Sequence, residues 1–236
     1  MTEGRKANGW GRLDRVMPPA LEVVTCLLEA FPNPNHVPLS VGRDCGFFRE
    51  AGLEVALLHP SDPDDPLRLT AAGKVDFALG SQPGVLLARA AGCRVASIGL
   101  LIAHFPNTTM MPEGSEIRPP AEAHPLVFIA NKDTVRHRAG LCRRFIGAMA
   151  RAIAFTLKSP EEALEAFFAA HPDLRGPVHR ETFETTLPFY ARGQRQAPGR
   201  WADAAVAMAA RGLLPTGTPD LGAFTNGFVP DEEGPA

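Results

Sequence analysis

The chain lacks an excess of charge of either sign. Its 236 residues hold 24 Lys and Arg against 26 Asp and Glu, which leaves a formal net charge of -2. Domains that bind nucleic acid or an anionic membrane electrostatically carry a clear surplus of basic residues. The composition therefore favours a small molecule or a protein as binding partner and gives no support to a nucleic-acid or membrane partner.

Long apolar runs are also missing. The apolar stretch at residues 21–28 contains Glu22 and Thr25, and it is far shorter than the roughly 20 residues that a membrane-spanning helix needs. Residues 1–19 are polar and hold no apolar core of the kind found in a signal peptide. The expected compartment from these residues alone is the cytoplasm, if Met1 is the true start.

Cysteine is scarce, and the common catalytic motifs are absent. Cys26, Cys45, Cys93 and Cys142 lack C-x-x-C spacing, so neither a zinc site nor a disulfide framework is indicated. We expect them to be buried as small apolar side chains. The G-x-S-x-G, P-loop, H-E-x-x-H and G-x-G-x-x-G motifs are not found. Binding is therefore favoured over catalysis, and no cofactor or metal is expected.

The first half of the chain alternates short apolar runs with helix-like stretches, which is typical of βαβ units. The predicted strands are residues 22–28, 53–59, 75–80 and 94–102. The predicted helices are residues 37–51, 65–72 and 82–91. Each helix is followed by a glycine, which favours the left-handed conformation of a helix C-cap: Gly52, Gly73 and Gly92. We expect an α/β fold with a mainly parallel sheet.

The second half of the chain is mostly helical. One further strand is predicted at residues 125–130, followed by helices at residues 134–158, 160–170, 181–190 and 200–211. The Pro-rich segment 108–123 has no periodicity and is predicted to be a linker. We therefore divide the chain into a polar N-terminal segment, an α/β lobe and this linker: residues 1–20, residues 21–107 with 124–230, and residues 108–123.

Polar loops follow three of the predicted strands. Ligands of open parallel α/β sheets bind where the strands end, because helix N-termini and free backbone N–H groups meet there. The candidate ligand-binding residues are Phe31, Asn33, Asn35, His36, Gly80, Ser81, Gln82, Asn107 and Thr108. Structural explanations are open beside this one: Asn35 and Ser81 could be helix N-caps, and His36 could be a hydrogen-bonded core histidine.

Several segments of the chain resemble one family in the same order along the sequence. The first is Phe31-Pro32-Asn33-Pro34-Asn35-His36 with its flanks, and the others are residues 46–55, 69–78, 95–99, 125–133, 186–188 and 226–230. Together they are similar to the ABC-transporter substrate-binding proteins that carry thiamine pyrimidine precursors. That group also includes nitrate, sulfonate and taurine binders and the yeast-type pyrimidine synthase.

The resemblance implies a type II periplasmic-binding-protein fold, in which two α/β lobes close on a ligand without doing chemistry. It implies that Phe31, Asn35 and His36 line a pyrimidine site together with Ser81 and Gln82. The implied function is solute binding for an ABC importer of a hydroxymethylpyrimidine or formylaminopyrimidine precursor. The implied partners are an aminopyrimidine ligand and an ABC permease, and the implied location is the periplasm.

The chain departs from this family at several places. Ala30 stands where an aromatic residue is common, and Ser40 or Ser81 stands where tyrosine is frequent. Segment 108–123 stands where the family has most of its second lobe. We therefore expect a one-lobed, degenerate relative, whose uncovered apolar surface would favour self-association. Two alternatives are kept: a cytoplasmic enzyme of thiamine-pyrimidine biosynthesis, and an inactive remnant or interaction module.

Overall fold

The computed structural model describes residues 20–104, 123–215 and 222–230. Its strands are β1 (Glu22–Leu27), β2 (Leu53–Leu58), β3 (Phe77–Gly80), β4 (Val95–Ile102) and β5 (Leu126–Asn131). Its helices are α1 (Val37–Asp44), α2 (Phe47–Glu50), α3 (Asp65–Ala71), α4 (Gln82–Ala90), α5 (Lys132–His137), α6 (Ala139–Lys158), α7 (Pro160–Ala170), α8 (Pro177–Thr186) and α9 (Pro198–Ala210). The predicted α/β class is confirmed.

The strands form one mixed sheet in the order β2-β1-β3-β5-β4. β1 is parallel to β2 and to β3, whereas β5 is antiparallel to both β3 and β4. Four strands therefore point the same way, and the start of β5 lies beside the ends of β3 and β4. We call this side of the sheet, where those four strands end and β5 begins, the carboxyl edge.

Backbone conformation explains where the helices end. The expected C-caps are confirmed, because Gly52, Gly73 and Gly92 have φ values of 74°, 66° and 87°. The single helix expected at residues 37–51 is instead two helices, α1 and α2. Gly46 separates them with φ of 86°, a left-handed conformation that cannot continue a right-handed helix.

Apolar side chains pack on both faces of the sheet. Alternate residues of a strand point to opposite faces, and β5 shows this directly: Phe128 joins the core beneath α1, α2, α6 and α7, while Val127 and Ile129 join the core beneath α4 and α9. Phe145 and Trp201 are the large buried aromatic residues that α6 and α9 supply to these two cores. The lobe thus has three layers, with helices on each side of the sheet.

The outer edge of β4 is covered by segments from the end of the chain. Leu100 N–H donates to Gln194 O over 3.1 Å, and Thr225 N–H donates to Ser97 O over 2.9 Å. The Ser97 hydroxyl also donates to Gln196 Oε1 over 2.6 Å. Pairing of this kind removes the open edge that would otherwise recruit another strand.

Replacing Asn226 by alanine is expected to loosen this cover. The Asn226 side chain accepts a hydrogen bond from Gln196 N–H and donates one to Gln196 O, each over 2.9 Å. Its removal leaves both backbone groups of Gln196 unpaired, which should lower the free energy of unfolding by about 1–3 kcal/mol. Urea denaturation measures the change. Asn226→Asp keeps the acceptor and should lose less, so equal losses for the two variants would contradict this assignment.

The cysteines divide between core and surface. Cys26 and Cys142 are buried as expected, and burial raises the pKa of both thiols, that of Cys142 to about 11. The same expectation is wrong for Cys45, which is exposed, and for Cys93, which is half-buried. Cys45 is the C-cap residue of α1, before the turn into α2, and Cys93 lies in the turn between α4 and β4. No helix in the described ranges is long and apolar enough to cross a membrane.

Candidate ligand-binding site

The carboxyl edge brings together the two described groups of predicted site residues. Residues 31–36 follow β1 and residues 80–82 join β3 to α4. Asn107 and Thr108, also predicted to bind ligand, lie outside the described residues. How each remaining side chain is held determines what it offers to a ligand.

The loop after β1 is held by a compact hydrogen-bond cycle. Asn33 Oδ1 accepts the Asn35 N–H over 3.0 Å, and His36 Nδ1 accepts the Asn33 N–H over 3.2 Å. Because Nδ1 is an acceptor here, the imidazole proton lies on Nε2, which donates to Glu29 Oε2 over 2.8 Å. His36 is fully buried. Asn33, rather than Asn35, is therefore the cap of this turn, and His36 has the structural role that the sequence left open.

Glu29 is the charged member of this cycle. Burial raises the pKa of its carboxyl group, but the interaction with His36, together with hydrogen bonds from Asn33 and from the backbone of Glu29, holds the pKa below its ordinary value. A group with a lowered pKa in the folded state stabilises the protein above its unfolded-state pKa, and the contribution is lost as the pH falls through the folded-state value.

Stability should therefore fall as the pH drops below about 5. Asp76 adds to the effect: burial raises its pKa, but Thr25 and Arg138 hold it below its ordinary value. Urea denaturation at pH 7 and pH 4 measures the loss. Glu29→Gln should cost about 1–3 kcal/mol at pH 7 and flatten the profile. The exposed control Glu54→Gln should leave it unchanged, and an identical profile for both variants would contradict the assignment.

The helical second half anchors the same loop. Tyr190 Oη donates to Pro34 O over 2.7 Å, and Thr186 Oγ1 donates to Asn35 Oδ1 over 3.3 Å. Residues far apart in sequence thus determine the position of Asn35. Local sequence patterns carry no signal for such contacts.

Phe31 is the exposed member of the loop. Its side chain is 70% exposed, and its ring centroid lies 5.1 Å from that of His59. An exposed ring beside an imidazole offers a surface on which a flat heterocycle can stack. Phe31 therefore suits the binding role that the sequence predicts for it.

The turn between β3 and α4 combines capping with burial. Ser81 Oγ accepts the Gly84 N–H over 3.1 Å, so Ser81 is the N-cap of α4. A Cβ at Gly80 would lie 2.7 Å from Ile129 Cδ1, so the Ile129 side chain would have to shift to admit a larger residue. Gln82 is fully buried, and its Oε1 accepts the His124 N–H over 2.7 Å.

His124 lies at the same edge, although the sequence did not mark it as a candidate. It is buried, and its Nδ1 lies 2.9 Å from Ala103 O. Burial lowers its pKa, and electrostatic interactions with Arg200 and His104 lower it further, against the opposing effect of the hydrogen bond to the Ala103 carbonyl. His124 lies at this edge because β5 is antiparallel to its neighbours and begins where they end, a direction that the sequence does not show.

A separate open depression of about 610 Å³ is lined by Arg143, Arg195 and residues 226–230. It lies toward the beginning of β4, where Phe224 pairs with Ser97, and so toward the opposite side of the sheet from the carboxyl edge.

Within the described ranges, no group of three or more His, Cys, Asp or Glu side chains is placed to hold a metal ion.

Comparison with solved structures defines the fold. The chain has a periplasmic-binding-protein-like fold, as its solved neighbours show. The alkanesulfonate-binding protein SsuA of Xanthomonas axonopodis pv. citri superposes with a TM-score of 0.60 at 11% identity, over 89% of this chain and 99% of that one.

Sequence comparison relates part of the chain to one family. Residues 33–124 match the family model described as NMT1/THI5 like. The formylaminopyrimidine-binding protein of Halalkalibacterium halodurans is 37% identical over 103 residues, which are 44% of this chain and 31% of that protein. Part of the chain is therefore similar to the NMT1/THI5-like family, and the resemblance drawn from the sequence is confirmed.

A longer alignment relates the chain to a protein whose name is that of an enzyme. The 4-amino-5-hydroxymethyl-2-methylpyrimidine phosphate synthase of Legionella pneumophila is 25% identical over 72% of this chain and 80% of that protein. The aligned stretch is 253 residues long, whereas 72% of 236 residues is about 170, so about 80 residues have no counterpart in this chain.

Proposed function

We propose that this chain is a one-lobed solute-binding protein for a thiamine pyrimidine precursor of the hydroxymethylpyrimidine or formylaminopyrimidine type. One observation carries the proposal: the segment that matches the family, residues 33–124, contains residues 33–36 and 80–82 of the two polar loops of the carboxyl edge, together with His124. The matched sequence therefore overlaps most of the candidate binding surface, although Phe31 lies just before it.

The chemistry of the edge suits this class of ligand. An aminopyrimidine presents a flat aromatic face and a rim of hydrogen-bond donors and acceptors. Phe31 supplies an exposed ring, and Gln82 and His124 supply neutral polar groups in a buried setting. Sites for small ligands combine apolar surface with a few placed polar groups in this way.

The division of the chain follows from the same proposal. Residues 21–107 and 124–230 would form the binding lobe, and residues 108–123 would replace most of a second lobe. The roughly 80 residues of the Legionella relative without a counterpart support this division, because a lobe needs at least about 50 residues. An ABC permease would be the partner and the periplasm the compartment, by analogy with the class.

Isothermal titration calorimetry tests the proposal. Purified chain is titrated with 4-amino-5-hydroxymethyl-2-methylpyrimidine and its formylamino counterpart, with taurine as a ligand of different chemistry. Saturable heat for a pyrimidine, and none for taurine, is the expected result. Absence of heat at millimolar pyrimidine, with the protein shown to be folded by circular dichroism, would refute it.

An enzymatic role receives less support from the geometry. A Schiff base to pyridoxal phosphate would need a lysine near the polar loops. Lys74 precedes β3 and Lys132 follows β5, so both lie on the side opposite the carboxyl edge. A visible absorbance band on adding pyridoxal phosphate would nevertheless favour the synthase alternative.

A further inference from the structure

Gln82 and His124 hold each other through two hydrogen bonds. Gln82 Oε1 accepts the backbone N–H of His124 over 2.7 Å, and His124 O accepts the backbone N–H of Gln82 over 3.1 Å. The first bond identifies the amide oxygen of Gln82, because an N–H can only donate to it. The amide nitrogen must then be the other terminal atom, and it can only donate.

The position of the proton on the His124 imidazole follows from the same reasoning. Its Nδ1 lies 2.9 Å from Ala103 O, and a carbonyl can only accept, so Nδ1 carries the proton. The side chain is buried beside positively charged groups, which lowers its pKa and keeps the ring neutral at pH 7. His124 Nε2 is therefore a hydrogen-bond acceptor.

Both nitrogen atoms lack a partner. Gln82 Nε2 and His124 Nε2 are completely buried, and neither makes a hydrogen bond in the structure as described. Buried polar atoms are nearly always paired, and an unpaired one lowers stability. The two residues are joined by hydrogen bonds, so their two unpaired atoms offer one donor and one acceptor within the same cluster.

We infer that Gln82 and His124 form a donor and acceptor pair that recognises the amidine edge of a 4-aminopyrimidine. The Gln82 amide donates to a ring nitrogen, and His124 Nε2 accepts from the neighbouring amino group. This inference rests on the proposed function and deepens it, since it assigns the ligand's selectivity to two named side chains. His124 joins the site as a residue that the family resemblance did not supply.

A pair of ligands separates this role from a structural one. 4-Aminopyrimidine keeps both the ring acceptor and the amino donor, whereas 4-(dimethylamino)pyrimidine keeps the ring acceptor and has no N–H. Wild-type protein should bind the first about tenfold or more tightly, since the second leaves His124 unpaired. The measured quantity is the ratio of the two dissociation constants.

Two conservative variants test the assignment. Gln82→Glu keeps the oxygen that accepts from His124 N–H and removes the donor. His124→Asn keeps an N–H for Ala103 O, because Asn Nδ2 takes the place of His Nδ1, and removes the acceptor. The ratio should collapse toward one for His124→Asn, and Gln82→Glu should weaken both ligands together. The exposed His137→Asn is the matched control and should leave the ratio unchanged.

The outcomes distinguish this inference from the proposed function. If wild-type protein binds no aminopyrimidine, both fail. If it binds and His124→Asn keeps the wild-type ratio, the inference fails and the proposed function stands. Nitrogen NMR of wild-type protein decides the matter if a variant does not fold. The His124 Nε2 resonance should move on ligand binding, and an unchanged resonance at saturation would overturn the inference.

Discussion

Replacement of Phe145 by alanine is expected to lower the free energy of unfolding by about 3–5 kcal/mol. Phe145 belongs to α6 and is fully buried. Its ring contacts three other phenylalanine rings. It stacks on Phe77 with centroids 4.2 Å apart and on Phe48 at 5.5 Å, and it meets Phe128 edge-on at 5.5 Å. Truncation removes these contacts and leaves a cavity between α6 and the sheet.

The measurement is urea denaturation followed by circular dichroism. Phe31→Ala is the matched control, because the same change at a 70% exposed side chain should alter stability by no more than about 0.5 kcal/mol. Since stabilities of about 5–15 kcal/mol are usual, Phe145→Ala should unfold at clearly lower urea. Similar losses for the two variants would contradict the packing described for this face.

Replacement of Trp201 by alanine probes the opposite face of the sheet, with an expected loss of about 3–5 kcal/mol. Trp201 is 3% exposed and stacks nearly parallel on Phe224, with centroids 5.2 Å apart and an interplanar angle of 10°. This stack joins α9 to the final segment that pairs with β4. Its removal should therefore loosen both α9 and the cover of that edge.

Two further variants control for helix and hydrogen-bond effects. Val206→Ala, on the same helix at a 70% exposed position, should change stability by no more than about 0.5 kcal/mol. The indole nitrogen of Trp201 is buried without a described hydrogen-bond partner, so Trp201→Phe should cost less than Trp201→Ala. A loss below about 1 kcal/mol for Trp201→Ala would contradict the assignment of a second core.

The strands and helix ends were predictable because their signals are local. Gly52, Gly73 and Gly92 mark C-caps in the sequence, and all three adopt positive φ. Apolar runs bounded by turn residues mark the strands closely. A buried run such as residues 126–131 carries no information about direction, however, so the antiparallel placement of β5 could not be predicted.

The antiparallel direction of β5 determines which residues belong to the candidate site. With β5 antiparallel, its start rather than its end lies at the carboxyl edge, and His124 comes to lie against Gln82. The anchoring of Asn35 by Thr186 is equally invisible in the sequence, because the two residues are 151 positions apart. Residue types in the loops were predictable, whereas their partners depend on tertiary packing.

The most direct test of the central claim is NMR mapping of the ligand on isotopically labelled wild-type protein. Titration with 4-amino-5-hydroxymethyl-2-methylpyrimidine should shift the backbone amides of the non-proline residues in 31–36, of residues 80–82 and of His124. The amides beside the depression at Arg143 and Phe228 should stay unchanged. Shifts confined to that depression, or none at millimolar ligand, would contradict binding at the carboxyl edge.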